Sequence, residues 1–273
     1  VDGTNGQVLV TDGAGNVSWG TGSSSSDFIP KLQGNETFRG VTHRNNSVTY
    51  DTYTGYTVNI TGAQFAKSAS GTNYQTRQIC SSYQPTAAGT GAYGNLRGAS
   101  ALWSISGGFY FIAEYGIADT GYAVGTHNFV GITYDTAGLS IGSSLNNQPS
   151  SLLNIIALAN DSGDTNLQIM HNDASGVATK IDLGSSFLPN RTAGTAQSTM
   201  YQVEFYNAPN TTSVKYRVTN KETGAVAQGT ITTNLPSSSN LLTWQVGRSM
   251  GTSAGGVTNS AIFVVNRVGF YNV

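Results

Sequence analysis

Polar and apolar residues alternate with a period of two along much of the chain, a pattern typical of strands that bury one face. In residues 200–206 and 213–219, apolar side chains take every second position, and polar ones such as Glu204 and Arg217 lie between them. These segments predict neighbouring antiparallel strands whose polar side chains pair across the outer face. A third strand is predicted over 225–232, after a turn that ends in Gly.

Three further segments extend this all-β pattern. Residues 166–183 predict a hairpin around a polar loop. The apolar runs 108–113 and 152–158 lack alternation, so we expect strands buried on both faces, in the middle of a two-layer core. The last strand, 261–271, is expected to bend at Gly269. Many strands joined by Gly, Ser and Asn turns predict a β-sandwich of jelly-roll type rather than a βαβ fold.

The start of the chain has a different pattern from the rest. Residues 6–11 and 17–20 predict a short hairpin, and 21–26 predict a flexible Gly/Ser linker. We therefore expect a stem of residues 1–26, with the sandwich in residues 27–273. A lone two-stranded hairpin is marginally stable in water, so its apolar residues need cover from the following domain or from the same hairpin of neighbouring chains. These residues are Val8, Val10, Val17 and Trp19.

Charge is scarce, and this scarcity excludes several classes of protein. The chain of 273 residues has 13 Lys and Arg and 14 Asp and Glu, a formal net charge of −1, so it lacks the basic surface that nucleic acids require. Every apolar run is shorter than the roughly 20 residues that span a bilayer, so no membrane insertion is expected. The sequence begins without an initiator Met or a signal segment, which indicates a piece of a longer chain.

Several motifs resemble a known class of protein. Residues 3–19, GTNGQVLVTDGAGNVSW, resemble a stem element common in tail fibres and other appendages of tailed bacteriophages, although it also occurs in some bacterial proteins. Residues 163–173 (GDTNLQIMHND) with 178–183 (ATKIDL), and residues 216–230 (YRVTNKETGAVAQGT), resemble a C-terminal tail-fibre module. That module looks like a concanavalin-A-like jelly roll used at fibre tips, and the resemblance spans residues 27–273 in layout.

The resemblance implies a role at the surface of a virus particle. We expect a homotrimeric virion protein, made in the cytoplasm of a bacterial host, whose sandwich binds a host-surface glycan or protein without catalysis. It would join other virion proteins through a part that precedes this sequence. Two alternatives are an enzyme that digests surface polysaccharide and a purely structural protein that decorates the capsid or tail.

Sugar binding needs aromatic faces for pyranose rings and convergent polar groups. The predicted loops supply both types of side chain. The candidate receptor-binding residues are Tyr115, Tyr122, His127, His171, Asn172, Asp173, Trp244 and Arg248. Each also has a structural interpretation: His171 can cap its own turn, Tyr122 can pack on a neighbouring subunit, and Trp244 can belong to the core.

No cofactor is expected, but one loop offers oxygen ligands. Asp161, Asp164 and Asn166 lie within six residues, as in calcium-dependent lectins, and we expect either a calcium site or a turn that uses these residues for backbone reasons.

The enzyme alternative needs a pair of carboxylates in one cleft. The pairs considered are Glu114 with Asp119 and Glu114 with Asp135. The pattern Gly-x-Ser-x-Gly occurs at residues 138–142, 247–251 and 251–255. A nucleophile elbow places its Ser between a strand and a helix, and the all-β pattern predicts no such helix.

Overall fold

The computed structural model describes two compact units, residues 1–35 and 36–273. The ranges that it describes are 7–11, 15, 17–21, 40–42, 56–60, 62–67, 80–85, 93–98, 101, 103–119, 125–134, 148–190, 199–250, 263–271 and 273. Each unit is considered by itself.

The first unit contains a β-hairpin. Strand β1, Gln7–Thr11, pairs antiparallel with β2, Val17–Thr21. Gly15 lies between them at φ +95°, a conformation that glycine adopts without strain. The predicted hairpin is confirmed, whereas the predicted linker at 22–26 lies outside the described residues.

The second unit is built from strands. In chain order these are β3 Gly40–Thr42, β4 Tyr56–Ile60, β5 Gly62–Lys67, β6 Cys80–Pro85, β7 Tyr93–Gly98, β8 Phe109–Ile117, β9 His127–Thr133, β10 Ile155–Asn160, β11 Gln168–Asn172, β12 Thr179–Asp182, β13 Met200–Asn207, β14 Val214–Asn220, β15 Val226–Ile231, β16 Thr243–Ser249 and β17 Phe263–Tyr271. A short 3-10 helix, Pro149–Ser151, precedes β10. No helix among the described residues is long and apolar enough to cross a bilayer.

Two antiparallel sheets form the sandwich. The seven-stranded sheet has the order β12-β11-β10-β9-β16-β7-β4. The eight-stranded sheet has the order β15-β14-β13-β8-β17-β6-β5, and β3 pairs with β17. The chain passes repeatedly from one sheet to the other, as in a jelly roll. The predicted all-β sandwich is confirmed.

The predicted meander is present as β13, β14 and β15. The alternation predicts Glu204 beside Lys215 or Arg217, and in the register of β13 and β14 it lies opposite Arg217. The two long apolar runs became β8 and β10, which are fully buried interior strands. The bend expected at Gly269 was wrong: Gly269 pairs regularly with Ile112, and the register shift in β17 lies between Val265 and Arg267, where one extra residue interrupts the ladder.

The main core lies between the sheets and is rich in aromatic side chains. Phe111 stacks on Phe205 with ring centroids 5.8 Å apart, and Phe270 meets Phe109 edge to face at 5.7 Å. Inward positions alternate along β8, so Phe109, Phe111, Ala113, Tyr115 and Ile117 all belong to this core.

A second apolar cluster covers the outer face of the seven-stranded sheet. Residues 148–154, which include the 3-10 helix, run across this face before β10 begins. The cluster consists of Phe129, Leu152, Ile155, Ala157, Ala159, Met170 and Ala178. Since both faces of β10 are covered, its lack of alternation in the sequence is explained.

Candidate functional site

The structure buries most of the receptor-binding candidates. Six of the seven that fall on described residues are buried, namely Tyr115, His127, His171, Asn172, Trp244 and Arg248, and Asp173 is partly exposed. Tyr122 lies outside the described residues. The accessible part of the predicted set is therefore Asp173, at the end of β11.

Arg248 and Asp119 form an ion pair inside the sandwich. Both side chains are fully buried, and Arg248 Nη2 lies 2.5 Å from Asp119 Oδ2. Arg248 Nη1 also donates to Asn128 Oδ1 at 2.6 Å and to the Pro189 carbonyl at 3.0 Å. The Tyr115 hydroxyl donates to the same Asn128 oxygen, and burial raises the pKa of this tyrosine. The network joins β16 and β9 of one sheet to β8 of the other.

Asn160 extends this network at the end of β10. Its Oδ1 accepts from Asn128 Nδ2 at 2.6 Å, and its Nδ2 donates to the Thr126 carbonyl at 2.7 Å. The buried donors at this point are therefore satisfied by side-chain amides and backbone carbonyls.

Lys180, on β12, forms ion pairs with the loop that contains the calcium candidates. Lys180 Nζ lies 2.7 Å from Asp161 Oδ2 and 2.9 Å from Asp164 Oδ2. Although burial opposes it, the bonds and charges of these carboxylates raise the pKa of Lys180. Asn166, the third candidate, donates instead to Asp182 Oδ1 at 2.9 Å. Among the described residues, no group of three or more His, Cys, Asp or Glu side chains has an arrangement that could hold a metal ion.

His127 lies beside this loop on the outer face of β9. Burial lowers the pKa of His127, against the opposing influences of Asp161 and Gln148. We call the region of Asp119, Arg248, Asp161, Asp164 and Lys180 the ion-paired end of the sandwich.

The carboxylates considered for catalysis are separated. Alternation along β8 places Tyr115 in the core and Glu114 on the opposite face, where Arg267 lies across from it in the register. Asp119 is held inside by Arg248. Glu114 and Asp119 therefore share no cleft, and Asp135 lies outside the described residues.

Glu204 is explained by its own partners. Arg217 Nε lies 2.7 Å from Glu204 Oε2, and the Tyr110 hydroxyl donates to Oε1 at 2.8 Å. Burial works against ionisation, but these bonds hold the pKa of Glu204 below its ordinary value.

The opposite end of the seven-stranded sheet exposes apolar side chains. Tyr134 is 48% exposed, Leu241 50% and Leu153 43%. We call the surface formed by Tyr134, Leu153, Asn154, Asp173, Asn240 and Leu241 the amide-rich end. Register brings these residues together, because Thr133 at the end of β9 lies opposite both Ile155 and Thr243.

Asn154 is the centre of the amide-rich end. Its carbonyl accepts from the Tyr134 N–H at 3.1 Å, and its own N–H donates to the Asp173 carbonyl at 2.7 Å. Its side-chain Oδ1 accepts from Asn240 Nδ2 at 3.2 Å. Its φ of +52° is a left-handed conformation, which asparagine tolerates better than most residues.

Asn234 supports the neighbouring loop. Its Oδ1 accepts from the Asp173 N–H at 3.0 Å, and its Nδ2 donates to the His171 carbonyl at 3.1 Å and to Thr179 Oγ1 at 3.0 Å. The buried His171 ring contacts the Asn234 carbonyl through Nδ1 at 3.1 Å, and burial lowers its pKa. His171 and Asn234 thus hold Asp173 at the surface.

This surface combines the two elements that sugars require. The half-exposed Tyr134 ring and the neighbouring leucines can cover the apolar side of a pyranose, and the adjacent amides and carboxylate can bond its hydroxyls. Sequence reasoning identified Asp173 but missed Tyr134, Asn154 and Asn240, which become neighbours only through strand register.

No known protein family matches the sequence. The search of curated proteins also finds no match. Solved structures do match in fold, and one is a protein of unknown function from Shewanella oneidensis MR-1, with a TM-score of 0.50 and 10% identity, covering 87% of this chain and 86% of that one.

Two other similar structures have lower TM-scores. Arcelin-5, a lectin-like defense protein from Phaseolus vulgaris, has a TM-score of 0.49 at 9% identity, covering 88% of this chain and 99% of that one. A carbohydrate esterase from the Shiga toxin-encoding bacteriophage phi24B has a TM-score of 0.43 at 10% identity, covering 80% of this chain and 90% of that one. At such low identity, structural similarity indicates only a shared fold.

Proposed function

We propose that this chain is a fibre protein of a tailed bacteriophage and that its sandwich binds a glycan on the bacterial surface at the amide-rich end, without catalysis. The observation that carries the proposal is the half-exposed ring of Tyr134 beside Asn154 and Asn240. An exposed aromatic ring framed by amides is a common chemical basis of sugar binding.

Assembly would strengthen the binding. In this proposal the N-terminal hairpin packs against the hairpins of two sister chains, because its two strands are marginally stable alone. Three identical sites on one particle then raise the avidity without any new contact. The virion is the expected location, and the preceding part of the fibre is the expected attachment to other virion proteins.

The absence of catalysis is also part of the proposal. In the pair with described positions, Glu114 lies on the face of β8 opposite the core, and Asp119, two residues beyond the end of β8, is bound to Arg248. Incubation of the full chain with host polysaccharide should therefore release no new reducing ends. Their release would favour the depolymerase alternative.

The binding site is tested with two substitutions of one residue. Tyr134→Ala removes the ring and should weaken adsorption of the full chain to host cells by at least about tenfold, because an aromatic contact contributes about 0.5–1.5 kcal/mol in each of three copies. Tyr134→Phe keeps the ring and should bind within about threefold of the native chain. Equal adsorption of the Ala variant and the native chain would contradict the proposed site.

Light scattering on the full chain tests the assembly. A mass of three chains is expected, and a stable monomer would contradict the role of the hairpin. Failure of the full chain to adsorb to host cells would favour the structural alternative, in which the protein decorates the particle and binds no receptor.

A further inference from the structure

The loops of the amide-rich end differ from the rest of the molecule in charge. Among the described residues of 103–108, 134, 152–154, 173–177, 208–213 and 232–242, Asp173 is the one Asp, Glu, Lys or Arg. The described Lys and Arg residues therefore lie outside these segments.

Cations are the usual partners of acidic sugars. A carboxylate, sulfate or phosphate group is bound in proteins by Arg or Lys, or by several converging backbone N–H groups. At the amide-rich end, the Asn154 N–H is already donated to Asp173 and the Tyr134 N–H to Asn154. The Asp173 N–H is donated to Asn234. These three backbone N–H groups are thus already hydrogen-bonded within the protein.

The one described carboxylate at this surface, Asp173, also disfavours an acidic ligand. Asp173 is partly exposed, and its Oδ1 accepts from the N–H and the hydroxyl of Ser175, at 2.8 and 3.0 Å. A carboxylate repels a second anion placed beside it and accepts bonds from neutral hydroxyls.

We infer that the amide-rich end selects uncharged glycans, built from neutral hexoses, deoxyhexoses or N-acetylhexosamines, and rejects glycans that carry carboxylate, sulfate or phosphate groups. The inference rests on the proposed glycan-binding function and adds the chemical class of the ligand. Recognition then depends on apolar contact with Tyr134, Leu153 and Leu241 and on neutral hydrogen bonds, which are weakly sensitive to salt.

The test uses the full chain on immobilised polymers of both classes. The neutral polymers are mannan, galactan, dextran and poly-N-acetylglucosamine, and the acidic polymers are alginate, polysialic acid and polyglycerol phosphate. We expect retention on at least one neutral polymer and at least about tenfold weaker retention on every acidic one, a difference of about 1.4 kcal/mol. Salt should leave the neutral interaction nearly unchanged.

A matched pair of variants isolates the charge. Leu241→Lys places a cation at the amide-rich end, and Leu188→Lys places one at an exposed leucine near Pro189, at the ion-paired end. The first variant should raise retention on acidic polymers up to about fivefold at low salt, and the second should leave it unchanged. Thermal unfolding verifies that both variants fold.

The outcomes distinguish a failure of the proposed selectivity from a failure of the proposed glycan binding. Native retention on an acidic polymer that equals the neutral one, or equal effects of the two lysine variants, would overturn the selectivity while glycan binding stands. Retention on no polymer of either class would contradict the proposed function as well as the inference.

Discussion

The two ends of the sandwich are built from different chemistry, although the same strands connect them. At the ion-paired end, Arg248 and Asp119 are buried together, and Lys180 bridges Asp161 and Asp164. At the amide-rich end, half-exposed apolar side chains lie beside asparagines that bond mainly to one another and to the backbone. One end fastens the sheets together, and the other presents the surface to which the proposed function assigns the glycan.

Removal of the buried arginine should produce the largest effect. Arg248→Met leaves Asp119 charged and buried without its partner, so the free energy of unfolding should fall by about 3–5 kcal/mol. Urea denaturation measures the change. The double variant Asp119→Leu with Arg248→Met should recover part of the loss, because no unpaired charge is left inside. A loss below about 1 kcal/mol in the single variant would show that the ion pair does not fasten the sheets.

Substitution of one leucine at each end tests directly which end binds the glycan. Leu241→Ala at the amide-rich end should weaken glycan binding by about three- to tenfold, since an exposed apolar contact is lost. Leu188→Ala near the ion-paired end should leave binding unchanged. Both residues are partly exposed, so neither change should alter the free energy of unfolding by more than about 1 kcal/mol. Equal losses of binding would remove the distinction between the ends.

The lysine of the ion-paired end provides a smaller test. Lys180→Met should lower the free energy of unfolding by about 1 kcal/mol or less, because Lys180 keeps 31% of its side chain exposed. We expect EDTA to leave the melting temperature of the native chain unchanged. In the variant, Asp161 and Asp164 lose their counter-ion, and millimolar calcium should then raise the melting temperature. A drop in the native melting temperature with EDTA would favour the calcium site instead.

The smallest expected effect is the dependence of stability on pH. Of the described histidines, each end contains one. Burial lowers the folded-state pKa of both His127 and His171 below the ordinary value near 6.5. Between that value and the lowered ones, the unfolded chain binds protons that the folded chain does not, so stability falls as pH decreases below about 6.5.

Thermal melts between pH 7.5 and 5 test this dependence. His127→Gln and His171→Gln should each flatten the pH profile of the melting temperature. The reverse slope, with higher stability at lower pH, would contradict the effect of burial on either ring.

The sequence predicted the sheets better than the site, for physical reasons. Period-two alternation reports directly which face of a strand is buried, so the β13–β14 pairing of Glu204 with Arg217 followed from local pattern. The same alternation carried an unused signal: Tyr115 falls in phase with Phe109 and Phe111, which indicates a core position. The aromatic ring of Tyr115 alone had made this residue a binding candidate.

The binding surface depends on strand order, which alternation does not report. Asn154 and Asn240 are 86 positions apart, and Arg248 and Asp119 are 129 apart. Asn154 and Asn240 meet because β10 and β16 both border β9, whereas Arg248 and Asp119 meet because the two sheets face each other. No local pattern marks Tyr134, which is simply the residue after a buried strand.

The left-handed backbone of Asn154 has a consequence for how this protein can diversify. Since that residue fixes the bases of the loops through its main chain and its amide, the loop tips around it are free to exchange side chains while the ion-paired end keeps the domain folded. Under the proposed function, mutations at 134, 153 and 241 should therefore accumulate in variants with altered glycan specificity, with 154 held constant among them.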